Sequence, residues 1–332
     1  VLRKKWRKPG FSLGGSTFWG MPCAGHAPKW RGRHQMKKIS GSAISYNVTF
    51  LHVLPYVIVP LTLYLFVLFI PLLNAFRYSF YSMYSYIWTW RGLGNFAALF
   101  KDGVFWWSLK NNLIVMFVSV VFQAGVAFVL AALMTTKLVR WKSFVQSAFF
   151  FPCIISPLVT AYIWKVLYSE QYGVLNKLLD AAGLDFLQRN WLSDPQVIMT
   201  SICIPLAWQY IGFYLVIFLA GLTGIEREIL EVAEIDGANF VQRMFYIVLP
   251  LMKGTIKVAL LICISGSIKI FDQIYAMSMG GPGNASMVVS LYAYNVAFKG
   301  QDFGYASAIS VAAMIISLLL IIAVTRVLRE AE

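Results

Sequence analysis

Residues 111–134 read "NNLIVMFVSVVFQAGVAFVLAALM", 24 positions without a charged side chain. A bilayer's hydrocarbon core is about 30 Å thick, so about 20 apolar helical residues cross it. No water in that core can satisfy N–H and C=O groups, so such a run must close its hydrogen bonds internally, as a helix. Five further runs meet the same test, at about 50–73, 144–168, 197–223, 251–276 and 304–325. The alternating pattern of a transmembrane β-barrel is missing. The chain is therefore expected to be all-α, a polytopic helical membrane protein with six transmembrane helices.

Composition agrees. Of 332 residues 59% are hydrophobic and only 13% are charged, where a soluble domain carries about 25% charged residues. The net charge of +14 would suit nucleic acid, but its placement points to the membrane. Residues 1–40 hold ten Lys/Arg, and the first acidic residue is Asp102. A basic, carboxylate-free tail before the first span puts the N-terminus in the cytoplasm, with membrane lipid headgroups as its natural contact and no nucleic-acid role. Residues 1–45 are thus expected to be a cytoplasmic tail, and 46–328 the transmembrane domain. Residues 11–28 are too polar and too rich in Gly and Pro for a signal-peptide core, so the first span reads as an uncleaved anchor.

The loops alternate accordingly. The 135–143 loop carries Lys137, Arg140 and Lys142 without an acid, and 169–196 carries Glu170, Asp180, Asp185 and Asp194 against Lys177 and Arg189. Six spans return the C-terminus to the cytoplasm. Cys23, Cys153, Cys203 and Cys263 are scattered without metal or disulfide spacing. His26, His34 and His52 all precede residue 53, so no nucleophile–His–acid set is expected, and no enzyme. The sequons at Asn47 and Asn284 read as chance matches.

The loop 224–250 stands apart, because five of the 14 acidic residues lie between Glu226 and Asp236. Ile225, Ile229, Val232 and Ala233 share a helix face, Gly237 can end that helix in a left-handed turn, and Phe240, Met244, Phe245 and Ile247 mark a second amphipathic helix. Pro250, lacking an amide proton, suits the first turn of the fifth span. Either this is a solvated loop, or its carboxylates dock a cytoplasmic partner of positive charge.

Two further features invite attention. Ionisable groups within a span are costly and mark functional candidates. Lys269 lies 16 residues after Lys253, roughly 24 Å along a helix, and Asp272 falls at i+3 from it. They form either a structural pair at the outer end of the fifth span or a group facing substrate. "AWQYIGFY" (Ala207–Tyr214) puts Trp208, Gln209 and Tyr210 inside the fourth span, with Gly212 permitting close approach. That group either contacts substrate or glues helices together. Lys165 reads as an interface anchor.

These residues resemble a known family. Permeases of ATP-binding-cassette importers carry a cytoplasmic loop E-A-A-x3-G-x9-I-x-L-P, matched here by Glu231, Ala233, Gly237, Ile247, Leu249 and Pro250, with Val232 in place of the second Ala. Asp236 and Ala238 extend the match to the sugar-permease version, and Glu234 lies within it. "FDQIYAMSMGGPGNAS" (Phe271–Ser286) and "YNVAFKGQDFGYASAISV" (Tyr294–Val311) resemble the end of the fifth span, the external loop with Gly280, Gly281 and Pro282, and the start of the sixth in carbohydrate-uptake permeases. The resemblance implies a type I importer permease fold in the bacterial inner membrane, paired with a second homologous permease. It also implies two cytoplasmic ATPases, which bind the ATP and Mg, and an extracytoplasmic solute-binding protein. No cofactor is expected on this chain, which lacks G-x-x-x-x-G-K-[ST]. An oligosaccharide, neutral or acidic, is the implied substrate, with Trp208, Gln209, Tyr210, Lys269, Asp272, Gln273 and Tyr275 as path candidates. The competing expectation is a stand-alone secondary transporter or channel that uses Lys269 and Asp272 as coupling groups.

Overall fold

A computed structural model describes residues 50–84, 87–136 and 139–329. The expectations for the basic tail, Cys23, His26, His34, Asn47 and Lys137 lie outside these residues. The chain divides into residues 1–55 and 56–332. Of the first unit, residues 50–55 are described and are helical.

Among the described residues, four helices are long and apolar enough to cross a membrane: α1 (Leu54–Tyr78), α3 (Gly103–Thr135), α7 (Ile198–Thr223) and α13 (Phe303–Leu328). Two bent pairs pass the same test together and bring the number to six if each pair is one span. They are α4 (Lys142–Ile154) with α5 (Pro157–Leu167), bent by 96°, and α9 (Phe240–Leu251) with α10 (Lys253–Lys269), bent by 74°. The shorter helices are α2 (Gly94–Phe100), α6 (Val174–Ala181), α8 (Arg227–Ile235), α11 (Asp272–Ser278) and α12 (Val289–Tyr294).

Several boundaries differ from the sequence reading, each for a local reason. The second span begins eight residues earlier than expected, because the Asp102 carboxylate accepts the amides of Val104 and Phe105 and caps α3 there. The third span breaks because a residue before proline avoids helical backbone, so Ile155 and Ser156 are extended ahead of Pro157. In the fifth span, α10 stops at Lys269. Pro250 closes the last turn of α9 instead of opening the fifth span, and the bend falls at Met252.

The fold is helical as expected, with one short hairpin added. Tyr81–Tyr84 and Ile87–Trp90 pair as an antiparallel hairpin, β1–β2, with Tyr81 opposite Trp90. Asn95, fully buried, donates to the carbonyls of Ser79 (2.9 Å) and Tyr81 (2.7 Å) and fixes the hairpin's base. Trp88 and Trp90 of β2 and Trp106 and Trp107 near the start of α3 remain exposed.

The core lies where α3, α7, α9 and α10 meet. Ala124, Ala127 and Ala131 of α3 face Leu215 and Phe218 of α7 and Ala259 of α10. Small residues let helices approach closely in lipid, where no hydrophobic force drives them together. Gly212 takes this furthest, since a Cβ there would lie 2.1 Å from the Phe149 carbonyl oxygen of α4. By contrast α1 buries almost none of its apolar surface.

Candidate functional site

The acidic loop is built as a joint. The amide of Gly237 donates to Glu234 O (3.1 Å) and that of Ala238 to Ala233 O (2.9 Å), the two bonds of a Schellman turn. Gly237 takes φ +80 to make it. Asn239 opens α9 with a reciprocal cap: its carboxamide oxygen accepts from Gln242 N (2.8 Å) and its amide donates to Gln242 Oε1 (2.9 Å). Arg243 then reaches back across the turn to Glu234 at 2.7 Å. A cleft of about 470 Å³ lies between α8, α9 and the end of α3, lined by Glu231, Glu234, Arg227, Arg243, Phe240 and Thr135.

Which face of the joint is offered outward differs from expectation. Ala233 is buried, as are Met244 and Val248, while Val232 is 57% exposed and Ile235 84% exposed. The face expected from Ile225, Ile229, Val232 and Ala233 is therefore split, because Arg243–Glu234 and the Schellman turn fix the roll of α8 with Ala233 inward. Glu234 is tied to Arg243 yet stays exposed, as do Glu228, Glu231 and Asp236. Ile247 and Leu249 sit in α9 beside Val248, on the way to the bend.

At the other end of α10 the helix breaks, with Ile270 and Phe271 out of helical geometry. Lys269 and Asp272 therefore belong to different helices, and the expected i+3 pair on one face does not form. Both line a cavity of about 360 Å³, together with Tyr210, Phe213, Ser119 and Gln273. A π-helical turn in α3, Ser119–Gly125, carries Ser119 and Gln123 to its wall. Gln273 is buried, and neither its Nε2 nor its Oε1 has a hydrogen-bond partner.

Three path candidates lie elsewhere. Gln209 donates to the Ile155 carbonyl at 2.8 Å and supports the break in the third span. Trp208 packs edge-on against Trp164, centroids 6.0 Å apart. Tyr275 stacks on Phe271 at 5.3 Å and meets Tyr294 at 5.8 Å, outside the cavity wall.

Sequence reasoning passed over the residues that hold this region. Asn112 donates to Ser267 O (2.7 Å) and accepts from Val289 N (2.9 Å). Asn111 donates to Ala285 O (2.9 Å) and Met287 O (2.8 Å). Ser290 bonds the Ile270 carbonyl freed by the helix break. The segment with Gly280, Gly281 and Pro282 is tied by Ser286, which donates to Gly281 O at 2.7 Å and meets Ser278 at 2.8 Å. Asp102 accepts the hydroxyls of Tyr292 (2.5 Å) and Tyr305 (2.7 Å). The signal was available: Asn111 and Asn112 open an otherwise apolar run, and Asp102 is the first acid in the chain.

Comparison with known proteins matches residues 45–331 to the family described as "Binding-protein-dependent transport system inner membrane component". A probable ABC transporter permease protein of Bacillus subtilis, YurN, is 37% identical over 81% of this chain and 93% of its own length. The lactose transport system permease protein LacF of Rhizobium radiobacter is 31% identical over 72% of this chain and 81% of its own. A chain of a bacterial ABC transporter involved in import of the acidic polysaccharide alginate shares the fold. Its TM-score is 0.73 and its identity 24%, covering 83% of this chain and 95% of that one. The chain is a transport component and not an enzyme, and it belongs to the family of binding-protein-dependent transport system inner membrane components.

Proposed function

We propose that this chain is one of two permease subunits of an ATP-driven carbohydrate importer, and that loop 224–250 transmits the motion of two cytoplasmic ATPases to the transport path. One observation carries this reading: a braced helix–turn–helix joint that presents exposed Val232 and Ile235 beside Glu228, Glu231 and Asp236. A solvated loop has no need of a protruding isoleucine, whereas an apolar knob rimmed by charge fits a protein interface. The Schellman turn, the Asn239 cap and Arg243–Glu234 make the joint stiff enough to transmit force to α9, α10 and the broken end of the fifth span.

The termini are cytoplasmic in this reading, with residues 1–45 as a basic tail on anionic lipid. ATP and Mg bind the partner ATPases. A solute-binding protein delivers sugar at the opposite face, near the segment with Gly280, Gly281 and Pro282. The second permease and lipid cover the unpartnered surface of α1. The relatives named for sugars support an oligosaccharide as cargo, and Tyr210, Lys269, Asp272 and Gln273 line its path. ATP binding biases the permease pair because the ATPases hold its two states with different affinity.

Co-purification of the ATPase with the permease pair tests the joint. Ile235→Asp should release the ATPase while the two permeases stay together. Retention of a full complement of ATPase would remove loop 224–250 from the interface.

A further inference from the structure

Lys110 stands on the exposed side of α3, two turns after its start at Gly103, roughly 10 Å along the helix. Its ammonium lies over the Trp107 ring, 4.6 Å from the centroid. Beyond it Leu113, Ile114, Phe117 and Val121 are all exposed, at the spacing of one helix stripe. An ammonium in a span is costly and is normally paired. Yet Lys110 pairs with no carboxylate among the described residues.

Positive charge gathers around it. Residues 54–136 carry Arg77, Arg91, Lys101 and Lys110 against a single acid, Asp102. That carboxylate is engaged within the fold, accepting the amides of Val104 and Phe105 and the hydroxyls of Tyr292 and Tyr305. Trp106 donates its indole N–H to Phe100 O at 3.0 Å, which holds the end of α2, and Lys101 after it, against the first turn of α3. Cations and exposed tryptophans thus meet where an exposed apolar stripe ends. In the orientation proposed above this is the extracytoplasmic face, where Lys and Arg are ordinarily sparse, so topology does not account for them.

We infer that Lys101, Trp106, Trp107 and Lys110 hold the headgroup of an acidic phospholipid, whose acyl chains run along Leu113, Ile114 and Phe117. A lipid phosphate supplies the countercharge that the chain withholds from both lysines. The tryptophans suit the same boundary, with a large apolar ring and one polar edge. Depth favours lipid over a soluble partner. The stripe continues into the charge-free run that crosses the bilayer, so whatever neutralises Lys110 also meets Phe117, which is 63% exposed.

The test is native mass spectrometry of the complete transporter, both permeases with the ATPases, titrated in detergent with phosphatidylglycerol or phosphatidylcholine of the same chains. Wild type should retain phosphatidylglycerol in preference. Lys101→Gln with Lys110→Gln should weaken that retention by about 25-fold, about fivefold for each basic residue at an anionic surface, and leave phosphatidylcholine binding unchanged. Lys110→Arg, which keeps the charge, and Lys177→Gln, at an exposed lysine of α6, should both retain the preference. If the double variant does not assemble, Lys110→Gln is read instead, with a loss of about fivefold.

Equal retention of the two lipids by wild type overturns the inference, as does an unchanged preference in whichever variant assembles or an equal loss in Lys177→Gln. Separation of the two permeases in Lys110→Gln overturns it too, by making the stripe a subunit interface. The lipid count depends on neither sugar nor ATP, so a failure of the carbohydrate reading leaves it standing.

Discussion

Arg243 reaches from α9 across the Gly237 turn to hold Glu234 of α8 at 2.7 Å. The pair braces two short helices that share little else. Glu234 is 70% exposed, so its net contribution to stability is small, of the order measured for surface pairs, about 0.2–1 kcal/mol. Arg243→Ala should therefore shift thermal unfolding by only about 1–3 °C yet depress ATP-driven uptake severalfold. The charge exchange Glu234→Arg with Arg243→Glu should restore uptake. A large unfolding shift with intact uptake would make the pair purely structural.

Gly237 is the hinge of the same joint. A Cβ there would meet nothing within 4 Å, so any penalty comes from φ +80 alone. Gly237→Val should cost about 1–3 kcal/mol of local strain and abolish coupled uptake, while membrane insertion is unchanged. Gly237→Asn, which tolerates left-handed backbone, should retain much of the uptake. Equal activity in both variants would contradict the Schellman turn.

Gly212 tests the packing of the fourth span. Because its Cβ position lies 2.1 Å from Phe149 O, Gly212→Ala must push α7 from α4. The expected loss is about 1–3 kcal/mol, read as a lower unfolding temperature in detergent, whereas an unchanged temperature would refute the close approach.

Asp102 gives a pH signature. Burial pulls its carboxyl upward, but hydrogen bonds from Tyr292, Tyr305 and the amides of Phe105 and Val104 outweigh burial and hold it below the ordinary carboxylate value. A depressed folded value stabilises fully above the unfolded value, near about 3.9, and loses that stabilisation as pH falls through the folded value. The unfolding temperature of Asp102→Asn should lie below wild type by a constant gap from about pH 7 to 5, and the gap should close below about pH 4. A gap independent of pH would show that the carboxylate charge plays no part.

How far these features could be read from sequence depended on range. Charge-free runs such as 111–134 reveal their spans because lipid imposes a length on every apolar helix. Gly237 reveals its turn because only local backbone geometry is involved. The break after Lys269 is hidden, since Ile270 and Phe271 carry on the apolar pattern and the partners that stabilise the break, Asn112 and Ser290, lie far away in sequence. Gln209 looked like a substrate contact for the same reason: its acceptor, Ile155 O, is 54 residues distant. The hairpin escaped notice because aromatic residues suit a strand and a membrane interface equally.

The central claim is that ATP hydrolysis by partner subunits drives solute through this chain by way of loop 224–250. It is tested most directly by labelled-sugar uptake into proteoliposomes, comparing the complete transporter with the same complex carrying Ile235→Asp. The account predicts ATP-dependent accumulation by the former and loss of that accumulation in the latter, with the permease pair still present in the membrane. Undiminished uptake in the variant, or accumulation by this chain alone down an ion gradient, would contradict it.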